Sequence, residues 1–323
     1  MHVAWSFRVA FFFIAAVSLP VWGAENTTRA PIVSSAYPHM RLPLLRSDTV
    51  LAVDLATHTP LLAKNADRVG PIASITKLMT AMVILDAHLA LQDPITITKA
   101  DVDRLKGSHS RLALGTTLTR KQLLELALMV SENRAAAALA RTYPGGTGAF
   151  VEAMNRKAVQ LGMQQTRFVD PTGLRPGNVS TARELVHMVE AASHYPLIRK
   201  ATTSRSTAVA SGGKKRKTLV RYRNTDPLVG NREWDIRLSK TGYISESGRC
   251  LVVQATIAGH ETAIVLLDSW GRLTRVGDAN RIRRWLTTAR RRESASRLTL
   301  LEKGRNDVTG GIETSASAAA PAR

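Results

Sequence analysis

The chain has 323 residues, and its 45 lysines and arginines against 25 aspartates and glutamates give a formal charge of +20 at pH 7. Hydrophobic residues make up 44% and charged residues 22% of the chain, which is typical of a globular protein with a sizeable core and excludes an acidic disordered or low-complexity chain. The single cysteine, Cys250, excludes an intramolecular disulfide, so the fold must depend on its core.

The N-terminal residues have the pattern of a secretory signal peptide. Arg8 precedes an apolar run over residues 10–19, and small residues follow this run where a signal peptidase would cut. The run is shorter than the roughly 20 residues of a membrane-spanning helix, so an uncleaved anchor is the weaker alternative. We therefore predict a signal peptide over residues 1–23, a periplasmic mature protein, and an irregular leader over residues 24–46.

The next elements change from strands to helices. Apolar segments on both sides of a turn-like T-H-T-P sequence predict a β-hairpin over residues 50–63. Residues 74–89 place apolar side chains on nearly every side of a helix, which is typical of a helix at the centre of a core. From about residue 93 to 189 the pattern predicts amphipathic helices. Two of them begin at capping pairs: Thr119 with Gln122, and Thr181 with Glu184.

Strand patterns return after these helices. Three β-rich segments cover residues 236–244, 251–257 and 262–267, and a further helix is predicted from about 278 to 286. The polar residues 289–323, rich in Ala and Ser, are predicted to be a disordered basic tail.

This order of elements predicts an α/β domain over residues 47–288 that is interrupted by a helical insertion over about 93–189. Because strands flank the insertion on both sides, a cleft forms where the sheet and the insertion meet. Such a junction is a natural place for a functional site.

Two basic segments, residues 214–223 and 281–292, contribute much of the positive charge. Proteins that bind single-stranded nucleic acid interleave several aromatic rings with such charges, whereas only Tyr222 lies in the first segment. We therefore predict no nucleic-acid partner and interpret both segments as solvated surface. The alternative is attraction to an anionic polymer, which would allow peripheral association with a wall or membrane.

The first chemical motif is the S-x-x-K sequence that Ser74 and Lys77 form at the start of the buried helix. Residues three apart face the same side of a helix, so the two side chains point together. A serine hydroxyl becomes nucleophilic when a base takes its proton, and a lysine is that base when burial or nearby cations lower its pKa. By itself the spacing is unspecific, since Ser211 and Lys214 match it in a glycine-rich stretch.

Two further motifs follow along the chain. The S-x-N sequence at residues 131–133 interrupts two helical segments and directs a hydroxyl and an amide towards the cleft, with a helix cap as the alternative. The K-T-G sequence at residues 240–242 lies within a predicted strand, where its glycine lets a substrate or a facing helix approach the backbone.

Together and in this order, the three motifs resemble those of the penicillin-recognising serine acyltransferases, which include the penicillin-binding proteins and class A β-lactamases. The resemblance covers residues 48–286. The surrounding segments A-S-I-T-K-L-M-T, S-E-N-R-A-A, D-P-T-G-L and L-S-K-T-G-Y-I are similar to those of low-molecular-mass D-alanyl-D-alanine peptidases, and most of all to the endopeptidase branch. Carboxypeptidase relatives usually carry an added β domain and a membrane-binding helix, whereas little more than a tail follows residue 286 here.

The resemblance implies a fold, an activity and partners. The fold is the β-lactamase/transpeptidase-like α/β fold, with a mainly antiparallel sheet flanked by helices, a helical subdomain, and the active site at their junction. The activity is penicillin-sensitive hydrolysis of the peptide cross-links of bacterial peptidoglycan, with stem peptides and covalent β-lactam inhibitors as partners and no cofactor. The alternatives are a D-alanyl-D-alanine carboxypeptidase that trims pentapeptide stems and a non-catalytic peptidoglycan-binding relative.

The resemblance also implies catalytic roles. Ser74 attacks the D-alanyl carbonyl to form an acyl-enzyme, Lys77 is the general base, and Ser131 passes a proton to the leaving amine. The backbone N–H of Ser74 forms one half of an oxyanion hole. Residues 170–177, in the region where class A β-lactamases place a deacylating glutamate, contain no glutamate, which implies slow release of β-lactams.

The remaining motif residues are implied to bind substrate. Asn133 holds the substrate amide and the ammonium of the S-x-x-K lysine. Lys240 keeps the pKa of that lysine low and attracts a substrate carboxylate, and Thr241 donates a hydrogen bond to the same end. Gly242 and Tyr243 continue this segment, and the backbone N–H of Tyr243 is the other half of the oxyanion hole.

Other chemistry has little support in the sequence. The eight histidines include no H-E-x-x-H pair, and one cysteine cannot form a zinc ribbon, so we predict no metal site. Cys250 lies on a predicted strand and is interpreted as a small buried hydrophobic residue.

Overall fold

The computed structural model describes residues 33–213 and 217–313, together with His2. The predicted signal peptide therefore lies outside the described residues apart from His2, as do residues 214–216 of the first basic segment and residues 314–323 of the tail. The elements, in chain order, are β1 (Val33–Ser35), β2 (Ser47–Asp54), β3 (Thr59–Lys64), β4 (Gly70–Pro71), a 3₁₀ helix called the serine turn (Ala73–Ile75), α1 (Thr76–Asp86), β5 (Pro94–Thr96), a second 3₁₀ helix (Lys99–Asp101), β6 (Thr117–Thr119), α2 (Arg120–Met129), α3 (Asn133–Arg141), α4 (Gly146–Gln160), β7 (Val179–Ser180), α5 (Ala182–Ser193), α6 (Pro196–Thr203), β8 (Ser206–Ser211), β9 (Thr218–Arg223), β10 (Asp235–Ile244), β11 (Gly248–Ile257), β12 (His260–Ser269) and α7 (Thr274–Glu313).

A six-stranded antiparallel sheet forms the centre of the fold, in the order β1-β3-β2-β12-β11-β10. The predicted hairpin is confirmed as β2 and β3, and the three predicted C-terminal strands are confirmed as β10, β11 and β12. The prediction of an irregular leader over residues 24–46 is wrong at β1, which pairs with β3. The outer edge of β3 would otherwise leave backbone N–H and C=O groups unpaired.

Both faces of the sheet are buried, and the two-residue period of the strands divides their side chains between two cores. On β2, Leu51 and Val53 belong to the core that also contains α1 to α5, whereas Val50 and Ala52 belong to the core beneath α7. Because the central strands are covered on both faces, they read as continuous apolar runs in the sequence.

The helix α1 is the buried central helix that the sequence predicts. Nine of its eleven residues are buried, and Leu78 and Met82 are fully inaccessible to solvent. The α-helix begins at Thr76, so Ser74 lies in the serine turn that precedes it. This turn places Ser74 at the junction between α1 and the sheet.

The helical part of the fold comprises α2 to α6. The predicted capping box of α2 is confirmed, since Thr119 accepts a hydrogen bond from the backbone N–H of Gln122, and Thr181 caps α5 in the same way through the backbone N–H of Glu184. The prediction of helices from residue 93 is wrong for residues 94–119. This segment contains the small hairpin of β5 and β6, whose β-branched Ile and Thr residues favour extended backbone, and a long loop between them.

The helix α7 packs its first half across the sheet and then continues beyond it. Ala279, Ile282 and Leu286 lie in the second core, whereas residues 291–301 are exposed. The prediction of disorder from residue 289 is therefore wrong up to Glu313. The polar composition reports exposure rather than disorder, because Arg, Glu, Ala and Leu are good helix formers even where no core covers them. Within the described residues, no helix combines the length and hydrophobicity needed to cross a membrane.

Candidate active site

The serine turn is held in an unusual backbone conformation by two glycines. Ala73 has a φ of 47°, in the left-handed region that residues with a side chain rarely adopt. A Cβ on Gly173 would lie 2.0 Å from the carbonyl oxygen of Ala73, and one on Gly242 would lie 3.1 Å from the backbone nitrogen of Ser74. These close approaches fix the position of Ser74 against β10 and against the loop that contains Gly173.

Lys77 lies directly behind Ser74 and is completely buried. Its Nζ lies 2.8 Å from Ser74 Oγ, 2.8 Å from Asn133 Oδ1 and 2.6 Å from the carbonyl oxygen of Thr172. Burial lowers the pKa of Lys77 to about 7, against the attraction of nearby carboxylates, of which Asp170 contributes most. A lysine with this pKa exchanges its proton near neutrality.

The S-x-N motif lies at the break between α2 and α3. Ser131 has a φ of 60°, which lets the chain turn sharply so that Asn133 starts α3 facing Lys77. The amide of Asn133 is oriented by its second contact, a 2.9 Å hydrogen bond that Nδ2 donates to Ser108 Oγ. Ser131 Oγ is buried, and it has no hydrogen-bond partner in the described part of the chain. The structure thus brings Asn133 to Lys77, whereas Ser131 makes no hydrogen bond with Ser74 or Lys77.

The K-T-G motif lies on β10, on the opposite wall of the cleft. Lys240 is buried, and its Nζ donates a 2.8 Å hydrogen bond to the carbonyl oxygen of Thr241. The Oγ1 atoms of Thr241 and Thr225 are 2.6 Å apart. Tyr243 is 56% exposed, and the guanidinium of Arg249 lies 4.4 Å from the centre of its ring.

The pKa values of both lysines are lowered, but the cause for Lys77 differs from the one that the family resemblance implies. The pKa of Lys240 is well below its usual value because the group is buried and because the positive charge of Lys77 repels its own. For Lys77 the main cause of the lowered pKa is burial. Burial, rather than the charge of Lys240, is therefore what lowers the pKa of Lys77.

Residues 170–175, called the Asp170 turn, complete the site in a way that sequence reasoning missed. The carboxylate of Asp170 accepts hydrogen bonds from the backbone N–H groups of Thr172, Gly173 and Arg175, and from the Thr172 hydroxyl at 2.6 Å. This turn directs the carbonyl oxygen of Thr172 at Lys77. The D-P-T-G-L sequence indicated a turn, but a contact made by a backbone carbonyl leaves no trace in residue type.

Arg275, in the first turn of α7, is a second residue that sequence reasoning missed. It is 8% exposed, and its Nε and Nη1 atoms are buried without a hydrogen-bond partner among the described residues. Its positive charge lowers the pKa of Lys240, which places the two cations near each other. The negative charge of Asp226 partly balances these two positive charges, and burial raises the pKa of Asp226 itself. An arginine far along the chain from every motif has no local signal that could have identified it.

The loop over residues 102–110, called the cleft loop, borders the site on the helical side. Ser108 accepts the hydrogen bond from Asn133, and Lys106 forms an ion pair with Glu246, which follows β10. The hydrogen bond from Lys106 is the main cause that lowers the pKa of Glu246 to about 2. The ion pair therefore connects the two walls of the cleft. In the described part of the chain, no cluster of three or more His, Cys, Asp or Glu side chains is arranged to hold a metal ion.

The comparisons with known proteins agree with this geometry. A family model described as D-alanyl-D-alanine carboxypeptidase matches residues 37–270. The chain belongs to this family. The D-alanyl-D-alanine endopeptidase of Pseudomonas aeruginosa is 45% identical over 80% of this chain and 83% of its own length. The D-alanyl-D-alanine endopeptidase of Escherichia coli K12 is 42% identical over 88% of this chain and 90% of its own length.

The solved structures show the same fold. The crystal structure of the Streptomyces K15 DD-transpeptidase has a TM-score of 0.71 and 28% sequence identity, and the match covers 76% of this chain and 98% of that one. The family resemblance inferred from the motifs and the predicted fold class are thus both confirmed.

Proposed function

We propose that this protein is a penicillin-sensitive serine D-alanyl-D-alanine endopeptidase that hydrolyses the peptide cross-links of bacterial peptidoglycan. The observation that carries the proposal is the buried Lys77, whose Nζ lies 2.8 Å from Ser74 Oγ and whose pKa is about 7. A serine beside a base with this pKa is poised for nucleophilic attack near neutral pH. The relatives named as endopeptidases, which match most of the chain, support this cross-link specificity over terminal trimming.

In the acylation step, Ser74 Oγ attacks the D-alanyl carbonyl carbon while neutral Lys77 takes the hydroxyl proton. The new ester bond forms as the peptide C–N bond breaks, and the leaving amine receives a proton through Ser131. Negative charge develops on the carbonyl oxygen, which the backbone N–H groups of Ser74 and Tyr243 stabilise. The close approach of Gly242 to the backbone nitrogen of Ser74 supports this arrangement, because it brings β10 beside the serine turn.

The remaining residues bind and orient the substrate. Asn133 binds the substrate amide in addition to accepting a hydrogen bond from Lys77. Thr241 donates a hydrogen bond to the carboxylate end of the substrate, which Lys240 and Arg275 attract. The partnerless nitrogens of Arg275 support the inclusion of this residue, because a buried guanidinium without an acceptor is costly until an anion pairs with it.

Water then hydrolyses the ester and releases the second product. The Asp170 turn holds no glutamate that could activate this water, so esters formed with β-lactams are hydrolysed slowly. β-Lactams should therefore act as covalent inhibitors. The predicted signal peptide supports a periplasmic location, where the substrate is found, and the basic segments favour peripheral association with anionic wall or membrane surfaces.

Product analysis by mass spectrometry tests the proposal. The purified mature protein and its Ser74→Ala variant are incubated with cross-linked muropeptide dimers and, separately, with a pentapeptide monomer. Conversion of dimers to monomers by the wild type alone is the expected result. Loss of only the terminal alanine from the pentapeptide would instead identify a carboxypeptidase, and absence of product from both substrates would favour the non-catalytic alternative.

A further inference from the structure

A cavity of about 700 Å³ opens beside the catalytic residues. Its walls come from the second 3₁₀ helix, the cleft loop, α3, the first turn of α4 and the Asp170 turn. Asn133 and Thr172 belong both to this lining and to the acceptors of Lys77, so the cavity is continuous with the reaction centre. Its volume is within the range of specific ligand pockets, which is about 300–1,000 Å³.

The position of the cavity assigns it to one side of the scissile bond. No residue of β10 is among the described residues that line it. In the proposed reaction Lys240 and Thr241, on β10, hold the carboxylate end of the leaving group. The cavity therefore faces the opposite, acyl-donor part of the substrate, which remains bound to Ser74 in the acyl-enzyme.

The three acidic residues of the lining already have partners. Asp101 forms an ion pair with Arg141, with oxygen–nitrogen distances of 2.8 and 3.0 Å. The carboxylate of Asp103 accepts hydrogen bonds from three backbone N–H groups of the cleft loop. The carboxylate of Asp170 is used within its own turn. These carboxylate oxygens are thus used as acceptors within the protein, and the lining contains four basic residues against the three acidic ones.

Apart from Arg141, which is paired with Asp101, the cations of the lining are in the opposite situation. Lys99, Arg104 and Arg175 are exposed, and none of them forms an ion pair with a described residue. Between them the lining is aliphatic, with Val102 and Leu174 among its members. An apolar wall with free guanidinium groups at its rim suits an aliphatic arm that ends in a carboxylate, because arginine binds carboxylates through paired N–H donors.

We infer that this cavity binds a carboxylate-bearing side chain of the acyl-donor stem peptide and that Arg104 and Arg175 are its anion partners. The inference rests on the proposed function and adds a specificity determinant to it. A free carboxylate on this side chain, called the donor arm, increases the rate of cross-link cleavage. The corresponding primary amide does not.

Two synthetic cross-linked peptide dimers test this inference. They are identical except that the donor arm next to the scissile D-alanine ends in a free carboxylate in one and in the primary amide in the other. The kcat/KM of each is measured for the wild type, for the double variant Arg104→Ala/Arg175→Ala, and for Arg232→Ala, which removes an exposed arginine outside the cavity lining. Covalent labelling by benzylpenicillin, which carries no such arm, reports whether the serine site of each variant is folded.

The wild type and Arg232→Ala should prefer the carboxylate dimer about tenfold, the effect of one charge-assisted hydrogen bond. The double variant should still be labelled by benzylpenicillin but cleave both dimers at the rate of the amide form. Equal rates on both dimers in the wild type, or a preference that persists in the double variant, would overturn the inference while leaving the endopeptidase intact. If the wild type is labelled but cleaves neither dimer, the proposed function itself fails and the inference falls with it.

Discussion

Lys77 and its three hydrogen-bond partners determine when the site is reactive. Two of the acceptors, Asn133 Oδ1 and the carbonyl oxygen of Thr172, cannot donate a hydrogen bond, so they hold two of the lysine N–H groups. The third tetrahedral position on Lys77 Nζ faces Ser74 Oγ. When Lys77 is charged it donates to this hydroxyl, and when it is neutral its lone pair is free to accept the hydroxyl proton.

This arrangement predicts the pH dependence of acylation. The pKa of Lys77 is lowered from 10.5 to about 7, mainly by burial, so the neutral base is the major form above pH 7 and the charged form below it. The rate of acylation by benzylpenicillin should rise about tenfold per pH unit below pH 7 and level off above it, as for a general base. Stopped-flow measurements between pH 5 and 9 check this, and a rate that is flat from pH 5.5 to 8 would contradict the assignment of Lys77.

The catalytic role of Ser131 can be tested separately from a structural role. Its hydroxyl is buried without a partner among the described residues, so it contributes little to the folded state. We expect Ser131→Ala to change the free energy of unfolding by no more than about 1 kcal/mol, yet to lower kcat for cross-link cleavage by about 100-fold or more, the usual effect of losing a proton-transfer group. Urea denaturation and product analysis measure the two effects. Large loss of stability with little loss of kcat would identify a structural residue instead.

At the scale of elements, the site depends on the contact between the serine turn and the Asp170 turn. The carboxylate of Asp170 collects the hydrogen bonds of its turn, and Asn178 fixes the turn to α1 by donating hydrogen bonds to Thr76 Oγ1 at 3.0 Å and to the Asp170 carbonyl oxygen at 2.9 Å. The Asp170 turn and the start of α1, which are far apart in sequence, are thus joined by buried polar contacts. This explains why the nucleophile, in a short 3₁₀ turn, and an acceptor for Lys77, in a loop, are well positioned.

Gly173 is the most sensitive point of this contact. It has a φ of +81°, and a Cβ there would lie 2.0 Å from the Ala73 carbonyl oxygen and 2.9 Å from the backbone nitrogen of Ser74. Gly173→Ala must displace the serine turn, and we expect acylation by benzylpenicillin to slow by about 100-fold, as displacements of about 1 Å typically cause.

The matched control is Gly148→Ala on α4, where a Cβ would meet nothing within 4 Å. This change should leave acylation unaffected and stabilise the fold by about 0.5–1 kcal/mol, since alanine favours helices over glycine. Thermal unfolding and acylation rates of both variants check the comparison. Equal acylation rates in the two variants would show that the contact does not position Ser74.

At the scale of the whole molecule, α7 covers one face of the sheet and also brings Arg275 near enough to Lys240 to lower its pKa. Near the middle of the helix, Arg290 is 5% exposed and its Nη2 donates a 3.0 Å hydrogen bond to Asp54 Oδ2 at the end of β2. Arg290 also donates to the carbonyl oxygen of Ile257 on β11. The helix is therefore fixed to the sheet by a buried ion pair as well as by its apolar face.

Adjacent arginines on α7 provide a test of this anchoring. Arg290→Ala leaves the buried carboxylate of Asp54 with only His260 and two backbone N–H groups as partners, which should lower the free energy of unfolding by about 2–3 kcal/mol. Arg291→Ala removes an exposed side chain and should change it by less than about 0.5 kcal/mol. Urea denaturation of the two variants measures the difference. A similar small effect for both would show that the ion pair does not hold the helix.

The sequence predicted the central strands, the buried helix α1 and the motifs, because these depend on local periodicity and residue type. Chemistry that depends on tertiary geometry was not predictable: the carbonyl of Thr172 has no residue-type signal, and Arg275 reaches Lys240 only because α7 folds back over the sheet. The extent of α7 was missed for a related reason. Residues 291–301 are exposed although they include leucines, and composition alone does not distinguish an exposed helix from a disordered tail.

The most direct test of the central claim, an acyl-enzyme on Ser74 with Lys77 as its base, is intact-protein mass spectrometry after incubation with benzylpenicillin, followed by peptide mapping. The wild type should gain one penicilloyl group on the peptide that contains Ser74, and it should keep the group for a long time because deacylation is slow. Ser74→Ala should gain none, and Lys77→Arg, which keeps a charge that cannot be lost near neutral pH, should gain it far more slowly. An adduct on another residue, or one that persists in Ser74→Ala, would contradict the account.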